Sequence, residues 1–143
     1  MARNRGDRQH AIRDIVRNGE VRTQHTIVDE LRHRGFTCTQ ATVSRDISDM
    51  GLRKLPEGGY VLREDLRLHE VLADLVEEIQ QADNQVVVRA QDGKAMTVSL
   101  AIDAAEMPEV VGTLAGSNTV LVITGSDAAS AHLAAFLTRL QRG

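Results

Sequence analysis

Three glycines, Gly19, Gly35 and Gly51, cut the first third of the chain into short segments that each carry a helical apolar period. Over 8–18 the period gathers Ile12, Ile15 and Val16 on one face, and Gly19 ends the helix. Over 24–34 it gathers Ile27, Val28 and Leu31, with Thr23 as the expected N-cap and Gly35 as the stop. Phe36 is expected to plug the turn. Thr39 then caps a third helix that runs to about Met50 and stops at Gly51. After it the period changes. Leu-Arg-Lys-Leu and Tyr-Val-Leu-Arg flank Pro56-Glu57-Gly58-Gly59, a β-hairpin pattern over 52–63 in which glycine supplies positive φ.

The third helix has an unusual surface. Its only large apolar residues are Val43, Ile47 and Met50. With Val43 at the centre of the buried face and about 100° per residue, Arg45, Ala41 and Ser48 point away from the core. Thr42, Ser44 and Asp49 flank them. Such a face lets the helix approach a surface closely; Ser, Thr and Arg then bond phosphates or base edges, and Ala sits against a thymine methyl. Helix 24–34, a turn with Gly35 and helix 39–50 together match a helix-turn-helix. The hairpin, with Arg53 and Lys54, would be its wing against the phosphates. Ser44 and Arg45 are the candidate base contacts, with Gln40 and Thr42 near the helix N-terminus. The bland alternative is a solvent-facing helix in a three-helix bundle. Asp46 is expected to pair with a helix arginine rather than touch DNA. Cys38, in the turn, reads as a small semi-buried hydrophobe, with redox sensing as the alternative.

Beyond an expected short linker at 64–67, an amphipathic helix places Leu68, Val71, Leu72, Leu75, Val76 and Ile79 inward. A strand follows at 85–90 and a helix at 94–105. Strands at 110–116 and 118–124 enclose a tight turn. Gly125-Ser126-Asp127 caps a last helix, 128–141, with Leu133, Phe136, Leu137 and Leu140 inward. The expected class is α+β: a winged helix-turn-helix domain over 1–66, then a small α/β domain over 67–143 with a mainly antiparallel sheet. Charge divides the same way. Residues 1–65 carry 12 Lys+Arg against 10 Asp+Glu, and the remainder 5 against 10. That asymmetry suits a nucleic-acid-facing first half, or merely two domains with different surfaces.

Other classes find little support. One cysteine excludes a disulfide framework within the chain and a Cys-rich zinc site, and the five histidines lack metal-ligand spacing. No run approaches the ~20 apolar residues of a membrane span. The first ten residues have no apolar stretch, so no secretory signal is expected and the setting is taken as cytoplasmic. Ser99, Ser117 and Ser126 lack a Gly-x-Ser-x-Gly context, and Gly112 to Gly116 is no phosphate loop. His132, with no acid at helical spacing, is expected to be structural. No catalytic or metal-binding residue is nominated and no enzyme is expected.

The order and wording of TQATVSRDI followed by GLRK, and of PEVVGTLAG followed by TVLVI, resemble the arginine repressor family. The resemblance covers nearly the whole chain. It implies a winged-helix domain on double-stranded operator DNA, with Ser44 and Arg45 matching the family's DNA-reading pair. It implies a C-terminal domain that forms homo-trimers and then hexamers, with L-arginine between trimers as the small-molecule corepressor. Ala95 and Asp103 match the family pattern near that effector. Ser117-Asn118 stand where the family has two aspartates, while Asp92 replaces a proline and Met96 a glutamine. Guanidinium prefers a carboxylate: a charge-assisted bond gives ~1.5–3 kcal/mol against ~1 for a neutral one. The exchange would weaken arginine about tenfold per contact. Ser117 and Asn118 also suit the turn for its shape alone. Two alternatives stay open: a family member that binds DNA without arginine or with another ligand, and a ligand-sensing or regulatory subunit acting through protein contacts.

Overall fold

The structure is a computed structural model that describes residues 4–142. The chain forms two compact units, Met1–Arg63 and Glu64–Gly143.

The first unit holds α1 (Arg5–Asn18), α2 (Gln24–His33), α3 (Gln40–Met50) and a hairpin of β1 (Arg53–Lys54) with β2 (Tyr60–Val61). Each helix begins on a polar cap. Asn4 accepts from the Asp7 amide at 2.9 Å while the Asp7 carboxylate takes the Asn4 amide. That capping box starts α1 earlier than its apolar period suggests. Thr23 and Thr39 accept from the Thr26 and Thr42 amides. Gly35 and Gly51, at φ 87° and 69°, take the left-handed conformation that closes α2 and α3. Ile12, Ile27, Leu31, Val43 and Leu62 are fully enclosed in one aliphatic core, Phe36 and Tyr60 pack on its edge, and Cys38 is buried within it. Truncating Leu31 to Ala would cost about 2–5 kcal/mol. The hairpin pairs Arg53 with Val61 and Lys54 with Tyr60. Its strands are short, and the Tyr60 amide donates to the Val21 carbonyl at 2.7 Å, so the link between α1 and α2 supports the wing from the other side.

The second unit runs α4 (Leu66–Leu75), β3 (Val76–Ala82), β4 (Gln85–Ala90), α5 (Ala95–Ala104), β5 (Val110–Ala115), β6 (Thr119–Thr124) and α6 (Asp127–Arg142). Its sheet is wholly antiparallel, in the order β3-β4-β6-β5. Val86, Val88, Val120 and Val122 are buried beneath the helices. The residues that alternate with them, Val87, Leu121 and Ile123, lie on the opposite face and are only half-buried.

Two expectations need correction. The helix expected to carry Val76 and Ile79 ends at Leu75, and both residues belong to β3. Their three-residue spacing satisfies a helical period, but Asp83, at φ 54°, turns the chain so that 76–82 pairs with β4. The expected linker at 64–67 is ordered: Arg63–Asp65 form a 3-10 turn with Asp65 buried, and α4 begins at Leu66.

Candidate nucleic-acid interface

α3 is anchored through Val43 and Ile47, which are buried, and Met50, which is partly so. Ala41, Ser44, Arg45 and Ser48 are exposed on its other side. The side chains of Arg45 and Ser44 make no hydrogen bond or ion pair with any described residue, so their donors are available. Gln40, the first residue of the helix, is exposed. Thr42 is half-buried and its hydroxyl lies 3.1 Å from that of Thr39, so it serves the cap. Arg53 and Lys54 are exposed side by side on β1. The Lys54 ammonium stands 5.7 Å from the Tyr60 ring centroid, a cation–π distance. Arg22 donates to the Glu57 carbonyl at 2.7 Å and so holds the hairpin turn.

Asp46 is the one charged residue of α3 that the fold encloses. Arg8 of α1 donates to it through Nε and Nη2, and Gln9 through Nε2 at 3.3 Å. Burial alone would push this carboxyl up; the bonds from Arg8 and Gln9, with the Arg8 and Arg5 charges, outweigh that and hold it below its ordinary value. The Arg8 guanidinium is raised in turn, chiefly by its bond to Asp46. Asp49 pairs with Arg5 at 2.7 Å nearer the solvent. The arginine partner expected for Asp46 therefore lies on α1. The polar face thus has its carboxylates occupied and its Ser, Gln and Arg donors open, which suits a polyanion.

The effector candidates lie in the second unit and fall into two groups. Ser117 and Asn118 are exposed in the β5–β6 turn, whose carbonyls accept from the Ala95 and Ala90 amides at 3.3 and 2.7 Å. Ala95 itself is fully buried. The turn is thereby fastened to the start of α5. Asp92 comes to the same place, its Oδ1 3.5 Å from the Asn118 Nδ2. Asp103 lies eight residues along α5, about 12 Å away at the rise of a helix. Its two carboxylate oxygens are 2.9 and 3.0 Å from the Thr113 hydroxyl, which also lies 2.8 Å from that of Ser99. The fold therefore brings Ala95, Ser117 and Asn118 together and keeps Asp103 apart.

Spacing alone missed one partner. His132 meets Glu109, Nδ1 to Oε1 at 2.8 Å, across elements rather than along a helix. A cleft of about 530 Å³ beside α1, lined by Asp7, His10, Asp14, Arg34 and Phe36, holds none of the candidate residues. Among the described residues no group of His, Cys, Asp and Glu could hold a metal ion, and no helix is long and apolar enough to cross a membrane.

Comparison with known proteins agrees with this division. The family model of the arginine repressor DNA-binding domain matches residues 3–68, and that of the arginine repressor C-terminal domain matches 72–139. The chain is 41% identical over 126 residues to the arginine repressor of Acidobacterium capsulatum, covering 82% of this chain and 84% of that protein. It is 38% identical over 127 residues to that of Moorella thermoacetica, covering 81% and 84%. To that of Thermus thermophilus it is 36% identical over 146 residues, covering 91% and 86%.

Proposed function

The chain belongs to the arginine repressor family, and on that footing we propose that it represses genes of arginine metabolism by sequence-specific binding to double-stranded operator DNA. The observation that carries the reading is the outward face of α3: small polar residues around an open Arg45, on a helix whose own acids are tied to α1. Ser44 and Arg45 read base edges in the major groove and Gln40 contacts the backbone near the helix start. Thr42 contributes mainly by fixing the first turn. Arg53 and Lys54 hold phosphates, which position the domain without carrying sequence information. No catalytic role is assigned.

The second unit joins copies of the chain into trimers or hexamers. Met96, Leu100, Val111 and Leu114 are large apolar side chains between 59% and 72% exposed, on α5 and on the edge strand, and such exposure calls for burial. Several linked copies then engage repeated half-sites with an avidity one domain lacks. L-arginine is the effector this reading favours. It acts by binding the DNA-competent assembly better than the alternative.

One observation favours a second reading of the effector alone. The β5–β6 turn offers Ser117 and Asn118 but no carboxylate of its own, and the acid nearest to it, Asp92, already faces the Asn118 amide. A member that binds DNA without arginine, or with a less basic ligand, fits that turn. Fluorescence anisotropy of a labelled palindromic arginine-type operator, titrated with protein with and without millimolar L-arginine beside a scrambled duplex, tests both. Operator-selective binding tightened by arginine is expected. Selective binding indifferent to arginine moves the effector to the second reading, and equal binding to both duplexes overturns the proposal.

A further inference from the structure

α3 is attached to the core of its unit by a narrow stripe. Val43, Ile47 and Met50 span only about 60° of the helix circumference at 100° per residue. A stripe that narrow fixes where the helix lies better than how it is rotated about its own axis. The open guanidinium of Arg45 sits about 200° from Val43, so any such rotation swings it across the groove.

Besides its packing on α2 and its two caps, a polar constraint on rotation comes from one flank. Asp46 and Asp49 lie about 60° and 120° from Val43 on the same side. Asp46, with only 2% of its side chain exposed, receives Arg8 through two nitrogens of the guanidinium fork and Gln9 through its amide. Asp49 receives Arg5 at 2.7 Å. The four residues form an antiparallel ladder between α1 and α3, Arg5 with Asp49 and Arg8 with Asp46. The two helix backbones otherwise scarcely approach each other; Ile12, Ile15, Val43 and Ile47 share the apolar core between them, and the four side chains of the ladder are the polar link at its edge.

We propose that Arg8 is a positioning residue for DNA reading: its two-pronged grip on Asp46 sets the rotation of α3 and so aims Ser44 and Arg45 at the base edges. The proposal rests on the DNA-binding function put forward above. The same ladder neutralises the two carboxylates of α3, which would otherwise repel the phosphates. A planar fork fixes angle as well as distance, and an ammonium fixes distance only. Arg8→Lys therefore keeps the charge and loses the aim.

The experiment titrates operator and scrambled duplexes with four full-length proteins: the wild type, Arg8→Lys, Arg45→Ala and the double variant, each with a thermal melt. Arg8→Lys is expected to lower the operator-to-scrambled selectivity by about tenfold, the discrimination one good base contact supplies. Affinity for the scrambled duplex and its salt dependence should not change. In the Arg45→Ala background the effect should vanish, because the group being aimed is gone. A purely structural ion pair would instead lower the melting temperature and leave selectivity intact; that result overturns the proposal, as does a loss that persists undiminished without Arg45. A wild type that binds both duplexes alike overturns the DNA-binding reading, and the proposal with it. Should Arg8→Lys fail to fold, Gln9→Ala removes one donor to Asp46 and no charge. A smaller loss in the same pattern is then expected, and unchanged selectivity counts against the proposal.

Discussion

α3 and α5 are nearly the same length, and each leaves a face that its own unit does not cover, but the two faces are chemical opposites. α3 exposes Ala41, Ser44, Arg45 and Ser48. α5 exposes Met96 and Leu100, one turn apart, each about 60% accessible. In the same unit the edge strand β5 exposes Val111 and Leu114, the latter paired with Leu121 on the sheet face away from α5, so the unit carries further exposed apolar groups. A helix that presents hydrogen-bond donors on small side chains awaits a hydrated polyanion; one that presents thioether and branched aliphatic groups awaits a surface as dry as itself. The partner of each face is legible in what the face lacks: apolar bulk and any long charge but Arg45 in the first, and any long charge in the second.

The largest effect should come from spoiling the dry surface of the second unit at its edge strand. Leu114→Asp places a charge on an exposed position, so the unit still folds, but assembly measured by analytical ultracentrifugation should collapse. Operator affinity should fall by about a hundredfold or more as avidity is lost. An unchanged sedimentation profile would break the contrast, because the apolar face would then be incidental. Spoiling the wet face should act differently. Arg45→Ala should remove about 1–3 kcal/mol of base discrimination, read as the ratio of operator to scrambled-duplex affinity, while sedimentation stays as in the wild type. Its neighbour Lys54→Ala should weaken both duplexes alike and reduce the salt slope by about one unit.

The β5–β6 turn sharpens the comparison at the effector. Asn118→Asp would supply a carboxylate to a guanidinium, and calorimetry should show arginine binding about tenfold more tightly. Equal affinity would mean that the turn does not meet the ligand. Smallest is an acid effect on α3's own anchoring. The Asp46 carboxyl titrates below its ordinary value when folded. Its contribution is therefore fully present above an ordinary carboxylate pKa of about 4 and is lost as pH falls through the lower folded value. Melting of the first unit followed by circular dichroism should be flat from neutrality to about pH 5 and fall below about 4. Asp46→Asn should begin lower and lose part of that slope.

Much of α3 could be read from local signals. Thr39, Gly51 and the Val43–Ile47–Met50 stripe are all settled within a dozen residues of chain, and the caps form as expected. The nature of Asp46's partner was legible too, because a buried acid on a basic unit needs a cation. Its identity was not, since Arg8 lies 38 residues away and only the packing of α1 brings it there. At β3 a helical expectation fails for a related reason. Val76 and Ile79 are three apart, which serves a helix as well as a strand, and the decision is made by pairing with β4. His132 and Glu109 meet across elements, where spacing carries no information. At the effector it is resemblance that points to the residues, and the helical rise of α5 separates Asp103 from the rest.

The wing carries a built-in optical reporter. Tyr60 is the only tyrosine of a chain that has no tryptophan, and it lies on β2 under the ammonium of Lys54, whose strand β1 is expected to meet the phosphates. Ultraviolet emission excited near the tyrosine band therefore originates from this one ring, without any label. Approach of a duplex to the wing should alter that emission by displacing the ammonium from the ring and by energy transfer to the bases. The contact at one strand can in this way be timed separately from the assembly of the rest of the protein.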